Sequence, residues 1–272
     1  LAAHADQPEE PRVLAALGMI ALKAGRPADA CDYLSKARKK RPSDLAIVIA
    51  LADCFRACGH REKALEGYKA ALRVQPTHAE AQRKVGETLY ELGKTSEAIV
   101  ALNKAVYRDR KDLAARLLIA RISLEGGDVQ RALAQLSMIA KLEPGRLDVH
   151  RLYADAFQAA GDYRQMAVEL LSVHALGGAT IDTWWSLANS YLMVSDRENA
   201  LYAFQHAAIL EQQPAAAHAA VAQVAEELGR RELALETLAV LAGVKAYQGE
   251  ANAAIDRLRT ALALGAVLPR VA

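Results

Sequence analysis

The cysteines are the first candidates for chemistry. Cys54 and Cys58 stand four residues apart, which on a helix brings two thiols to one face, and His60 follows closely. Thiolates and imidazoles are zinc ligands. Cysteine is also a small side chain that is commonly buried, and Cys31 does not complete a tetrahedral set by itself. We therefore predict no metal site and no cofactor.

The sequence also lacks the common motifs of catalytic sites. The sequence contains no HExxH zinc motif, no GxSxG nucleophile motif and no glycine-rich phosphate loop. Its seven histidines are scattered along the chain. We predict that this chain has no catalytic residues and is not itself an enzyme.

The charge pattern argues against nucleic acid as a partner. The chain has 34 basic and 32 acidic residues, so it lacks a strong positive charge. Its most basic run, residues 36–41, suits the negative end of a helix dipole and has no aromatic residue to stack on a base. No run of 18 uncharged apolar residues is present, so we expect no membrane insertion.

The composition favours helices. Alanine, the strongest helix former, accounts for 58 of the 272 residues, and aromatic residues, which sheets prefer, make up only 5%. The odd number of cysteines, three, fits no disulfide framework. This favours the cytoplasm over the periplasm.

A period of 34 residues organises these helices. Glycine recurs at this interval, and the next two steps reach a serine and another glycine: Gly25, Gly59, Gly93, Gly127, Gly161, Ser195 and Gly229. Five residues after each turn residue comes alanine, except at Met166, and seven residues before it comes glycine or alanine. The pattern within each unit predicts two helices joined by a turn. Because one such pair cannot bury its apolar face alone, the units must stack.

These columns resemble the tetratricopeptide repeat (TPR). The second unit carries the family pattern at Leu51, Ala52, Phe55, Gly59, Ala64, Tyr68, Ala71 and Pro76, and the sixth has the family tryptophan at Trp184. The resemblance implies an all-α, right-handed α-solenoid of about seven helix–turn–helix units with a C-terminal capping helix. The first helix of each unit, helix A, would line a concave groove.

The same register predicts the domain limits. We expect residues 1–8 to be the tail of a preceding second helix (helix B), residues 11–248 to form seven units, and residues 249–272 to form a capping helix and tail. Gly249 follows Gly229 by only 20 residues. Either residues 231–246 serve in two units, or about 14 residues are missing from the period. The exposed ends of the stack offer a route to self-association.

The candidate binding residues follow from the resemblance, which places positions 5, 9 and 12 of helix A in the groove when Pro11 is position 1. They are Arg83, Glu87, Tyr90, Arg121, Arg151, Asp155, Trp185 and Asn189. Three interpretations compete for the charged ones. The arginines pair with acids four residues on, or bind a carboxylate-bearing peptide, or join Asn189 in bonding the backbone of an extended peptide.

Trp185 is the sharpest candidate. It follows Trp184, which takes the family packing position, so its side chain should point about 100° away and toward the groove. Tryptophan and arginine are enriched at binding hot spots. The alternative is that Trp185 packs on helix A of a neighbouring unit.

These features predict a protein–protein interaction scaffold that binds a protein or peptide segment in its groove. Two alternatives stay open. The chain could be the substrate-recruiting TPR region of a larger enzyme of glycosyltransferase or sulfotransferase type. It could also be the periplasmic TPR part of an exopolysaccharide export protein.

Overall fold

The computed structural model describes residues 10–210, 215–243, 249, 251–253 and 255–256, and these residues form helices and turns without a strand. Seven helices occupy the helix A positions: α1 (Pro11–Lys23), α3 (Leu45–Ala57), α5 (Ala79–Glu91), α7 (Leu113–Glu125), α9 (Leu147–Ala160), α11 (Ile181–Met193) and α13 (Ala215–Glu227). Seven occupy the helix B positions: α2 (Pro27–Lys40), α4 (Arg61–Val74), α6 (Thr95–Arg108), α8 (Val129–Leu142), α10 (Tyr163–Ala175), α12 (Arg197–Leu210) and α14 (Arg231–Ala242). The predicted all-α fold is confirmed.

The helices keep strict register with the sequence period. Each helix A and each helix B begins 34 residues after its predecessor, and the helix A and helix B of each period pack against each other as a hairpin. The chain divides into two compact units, Leu1–Leu142 and Glu143–Ala272, which we call the N-terminal and C-terminal halves. The N-terminal half holds hairpins one to four, and the C-terminal half holds hairpins five to seven.

Local signals explain where the helices begin and end. Asp44 and Asp112 accept hydrogen bonds from the backbone N–H groups three residues on, at 3.4 and 3.0 Å, and so cap α3 and α7. The turn within each hairpin needs a left-handed residue, which glycine adopts without steric cost. Ser195 adopts the same conformation, with φ of 62°, in the sixth hairpin.

The core of the N-terminal half is built from columns of small residues. The alanines five residues after the turn glycines are fully buried at Ala30, Ala64, Ala98 and Ala132. Gly86 lies so close to α6 that a β-carbon on it would come within 2.6 Å of Leu102 Cγ. The small residues therefore set how closely helices A and B approach.

The core of the C-terminal half uses the same columns with one exception. Ala200 and Ala234 are fully buried, but Met166 occupies this column in the fifth hairpin and is also buried. Ala251 and Ile255, in the described part of the predicted capping helix, are helical and join this core.

The predicted helix tail at 1–8, the irregular junction at 244–248 and residues 257–272 of the predicted cap and tail lie outside the described residues. In the described part of the chain, no helix is both long enough and apolar enough to cross a membrane.

Candidate functional site

The helix A face of the second and third hairpins carries a network of ion pairs. Arg56 on α3 donates to Glu87 at 2.6 Å and to Glu91 at 2.6 Å, both on α5. Arg83 donates to Glu87 on its own helix and lies 3.2 Å from Asp112, the N-cap of α7. The network thus links helix A of three successive hairpins.

These groups are partly buried, which strengthens their pairing. The Glu87 and Asp112 side chains are only 18% and 11% exposed, so solvent and salt screen their charges less than at an open surface. Burial alone would lower the pKa of Arg56, but its bonds to Glu91 and Glu87 outweigh burial and raise that pKa. Arg56 therefore remains charged at all physiological pH values.

A second polar cluster lies beside this network. The hydroxyl of the buried Tyr68 donates to Asp53 at 2.6 Å, and Lys84 Nζ lies 2.7 Å from the same carboxylate oxygen. Burial of the phenol, with its bond to Asp53, raises the pKa of Tyr68. The Asp53 carboxylate therefore joins helix B of its own hairpin to helix A of the next.

Tyr90 and Arg121 differ in whether their side chains have a partner within the protein. The Tyr90 hydroxyl donates to Glu125 on α7 at 2.6 Å, and this bond raises the pKa of Tyr90. Arg121 is exposed and has no ion pair or side-chain hydrogen bond within the described residues. Of the predicted residues in the N-terminal half, only Arg121 is therefore available to a ligand without breaking an existing bond.

The sequence analysis missed most partners in these networks. Arg56, Glu91, Asp112, Glu125 and Asp53 were not among the predicted site residues. A signal was nevertheless present, because the partners stand 31 or 35 residues apart in four of these bonds. These separations equal one repeat of 34 residues minus three and one repeat plus one, and in these bonds they join side chains on neighbouring helices A.

The helix A face of the fifth and sixth hairpins is open. Arg151 and Asp155 on α9 and Asn189 on α11 are exposed. Arg151 donates weakly to the backbone carbonyl of Gly178 at 3.4 Å, and no ion pair joins it to Asp155 within the described residues. Of the two predicted pairs on single helices, the structure forms Arg83–Glu87 and leaves Arg151 and Asp155 apart.

Asp155 has an unusual electrostatic setting. Although the residue is exposed, the surrounding protein displaces part of the water around its carboxylate, and this desolvation raises its pKa. A carboxylate that loses water without gaining a cation is held in an unfavourable state. It would gain from a donor supplied by a ligand.

The adjacent tryptophans separate into two environments. Trp184 lies between the imidazoles of His174 and His206, with ring centroids 4.0 and 4.4 Å away. Trp185 packs edge-on against Phe204 at 5.0 Å and is partly buried. Its ring therefore contacts helix B of its own hairpin, a contact that neither alternative for Trp185 included.

The three cysteines lie close together. Cys31 Sγ and Cys58 Sγ are 4.0 Å apart, and Cys54 is buried beside them. Burial raises the pKa of Cys31 to about 12 and that of Cys54 to about 11, so both thiols stay protonated at neutral pH. Among the described residues, no group of three or more His, Cys, Asp or Glu side chains has a geometry suited to a metal ion.

Antiparallel helix pairs that recur every 34 residues and stack on neighbouring pairs define the class of helical-repeat interaction scaffolds. The family model for the tetratricopeptide repeat matches residues 21–87 and 89–156. The chain belongs to the tetratricopeptide repeat family.

Solved structures agree with this assignment. A tetratricopeptide repeat protein from Parabacteroides merdae superposes with a TM-score of 0.61 at 14% identity, covering 91% of this chain and 98% of its own. The pilF protein of Pseudomonas aeruginosa gives a TM-score of 0.62 at 21% identity, covering 75% and 92%. YrrB, described as a TPR protein with an unusual peptide-binding site, gives 0.59 at 17% identity, covering 66% and 93%. A comparison with curated proteins gave no match.

Proposed function

We propose that this chain is a scaffold whose helix A face in the fifth and sixth hairpins binds an extended segment of a partner protein. One observation carries the proposal. The polar residues at positions 5 and 9 of these hairpins, Arg151, Asp155 and Asn189, are exposed and bond to no other side chain in the described part of the chain.

The chemistry of these groups suits a peptide backbone. The Asn189 amide both donates and accepts, so one side chain can bond a backbone carbonyl and a backbone N–H. The desolvated Asp155 carboxylate would accept from an N–H or a cationic side chain, and Arg151 would donate to a carbonyl or carboxylate. The partly buried Trp185 would supply the apolar contact area that anchors such a segment.

We assign a different role to most predicted residues of the N-terminal half. Arg83, Glu87 and Tyr90 hold successive helices A in register, because their bonds are made within the protein. Arg121 remains a proposed ligand contact of the N-terminal half, considered by itself. A peptide-binding site in YrrB, a structural relative, supports the general mode of binding but not a particular partner.

The test starts from a peptide selected from a random display library against the whole chain. Its affinity for Asn189→Ala and Asp155→Asn should fall at least about tenfold. Asn189→Ala leaves the backbone groups of the ligand without their partner, and Asp155→Asn removes the charge that strengthens the bond to the ligand. Gln165→Ala changes an exposed amide on helix B of the fifth hairpin and is the matched control. Unchanged affinity in both helix A variants would overturn the proposal.

A further inference from the structure

We propose a second binding site, on the helix B side of the third hairpin, for a partner segment that carries a carboxylate next to an apolar side chain. The site is a cavity of about 510 Å³ between α6 and the turn that joins α4 to α5. The residues that matter to the argument are Pro76, His78, Val100, Lys104, Tyr107 and Arg108. This surface is separate from the helix A face considered above.

The site is built on one stripe of α6. Val100, Lys104, Tyr107 and Arg108 stand at intervals of four, three and one residues, so they share a side of the helix. The opposite side of α6 is committed to the core through Ala98, Ala101, Leu102 and Ala105, which are all buried. Core packing therefore does not explain the residues of the stripe.

The stripe leaves large apolar side chains in water. Tyr107 is 75% exposed and Val100 is 55% exposed, although both would gain about 25 cal/mol for each Å² of apolar surface removed from water. Exposed apolar surface beside a cavity of this size is typical of binding sites. The apolar part of a ligand would cover these two side chains.

The charges around the cavity are of one sign. Among the described residues, Lys104 and Arg108 are the charged side chains that line it, together with the imidazole of His78, and no carboxylate lines it. Lys104 has no ion pair within the described residues. The Arg108 guanidinium lies 5.5 Å from the centre of the Tyr107 ring, which leaves its N–H groups able to bind an anion.

His78 adds a further donor. Its Nδ1 accepts a hydrogen bond from the backbone N–H of Ala81 at 3.0 Å and caps α5. A neutral imidazole that accepts at Nδ1 carries its proton on Nε2 and can only donate there. Three donors around an apolar surface complement a carboxylate with an apolar neighbour.

The neighbouring hairpins do not repeat this set. The residues one period before the stripe are Glu66, Ala70, Arg73 and Val74, and those one period after it are Ala134, Met138, Lys141 and Leu142. Neither set combines an aromatic ring with two adjacent cations. The site is thus a local feature of the third hairpin and not a consequence of the repeat.

The test uses four capped peptides with glycine–serine flanks and the cores Glu-Leu-Glu, Gln-Leu-Gln, Lys-Leu-Lys and Glu-Ser-Glu. Backbone amide shifts in a two-dimensional NMR titration of the whole chain report binding at each residue. We expect Glu-Leu-Glu to shift the signals of Val100, Tyr107 and their neighbours, and the other three peptides to bind at least about tenfold more weakly. Equal binding of the glutamine peptide, or shifts confined to other surfaces, would overturn the proposal.

Two variants separate this site from general electrostatic attraction. Lys104→Glu should weaken Glu-Leu-Glu binding at least about tenfold, and Tyr107→Ala should weaken it severalfold. Lys141→Glu, an equal charge reversal at an exposed position of α8, should leave it unchanged. If Lys104→Glu and Lys141→Glu weaken binding equally, the cavity is not the site. Asn189→Ala should not affect this binding, so the failure of either proposal can be recognised independently of the other.

Discussion

On the second and third hairpins the polar residues of helix A bond to one another. On the fifth and sixth hairpins the polar residues at repeat positions 5 and 9 have no side-chain partner among the residues that the structure describes. Position 9 illustrates the contrast. Glu87 accepts from Arg56 and Arg83, while Asp155 and Asn189 are exposed and unpaired within the described residues. The difference shows that one repeat position can join neighbouring helices in one region and leave its polar group exposed in another, where we propose that it contacts a ligand.

The contrast concerns these positions and not the charge of each half. The C-terminal half also has ion pairs between hairpins, Arg197–Glu227 and Arg230–Glu198, but their side chains are 39–57% exposed. Exposed pairs contribute little to stability because water and salt screen them. The partly buried network on α3, α5 and α7 is therefore the stronger connection.

The largest effect should come from the helix contact itself. Ala132 is fully buried where α8 meets α7, so Ala132→Trp forces the two helices apart and should cost about 3 kcal/mol or more. Calorimetry should show a separate, earlier transition from the N-terminal half. The exposed Gln130 on the same helix provides the control, Gln130→Trp, and a melt like that of the native protein in both variants would contradict the assigned contact.

Truncation of Trp185 should affect stability and binding together. Trp185→Ala removes the edge-on contact with Phe204 and should cost about 2 kcal/mol, less than the truncation of a fully buried aromatic residue. It should also abolish measurable binding of the selected peptide. Tyr107→Ala, at a mostly exposed ring, should leave stability within about 0.5 kcal/mol of the native value in the same denaturant titration.

The ion-pair contrast itself can be measured with double-mutant cycles. We expect a coupling energy of about 1 kcal/mol between Arg56 and Glu87, since the pair is partly buried and bonded at 2.6 Å. Arg151 and Asp155 should give a coupling near zero. Equal coupling energies for the two pairs would contradict the contrast between the bonded helix A residues of the N-terminal half and the unpaired ones of the C-terminal half.

The smallest effect is expected from the pH dependence of Asp155. Because desolvation raises its pKa in the folded state, ionisation of Asp155 disfavours folding at pH values above that pKa. Asp155→Asn should therefore be as stable as the native protein or slightly more stable at pH 7. As the pH falls below the pKa of the unfolded chain, both states bind the proton and the difference should vanish. A destabilised Asp155→Asn at pH 7 would show that the carboxylate has a partner in the folded protein.

The fold was predictable because its constraints are local and periodic. Small residues such as Ala98 and Ala132 and the turn glycines recur every 34 residues. Close helix packing allows few other residue types at these positions. Met166 departs from its column without altering the hairpin, because methionine is flexible enough to fill an irregular space.

Which polar side chains of helix A are paired and which are unpaired was not predictable in the same way. The sequence shows Arg83 and Asp155 equally as charged residues in groove positions, but their pairing depends on side chains about one repeat away. Pairs such as Arg56–Glu91 become visible only when opposite charges are sought 31 or 35 residues apart. The cavity beside Tyr107 was also missed, because it forms between α6 and the turn before α5, which are separated in the chain by the whole of α5.

The most direct test compares alanine substitutions at repeat position 9 in both regions. With the selected peptide as ligand, Asn189→Ala should weaken binding at least about tenfold while changing the free energy of unfolding by less than about 0.5 kcal/mol. Glu87→Ala should lower the free energy of unfolding by about 1–2 kcal/mol, because Arg56 and Arg83 both lose a partner, and should leave the affinity unchanged. The reverse result, with Glu87→Ala abolishing binding and Asn189→Ala affecting only stability, would contradict the account.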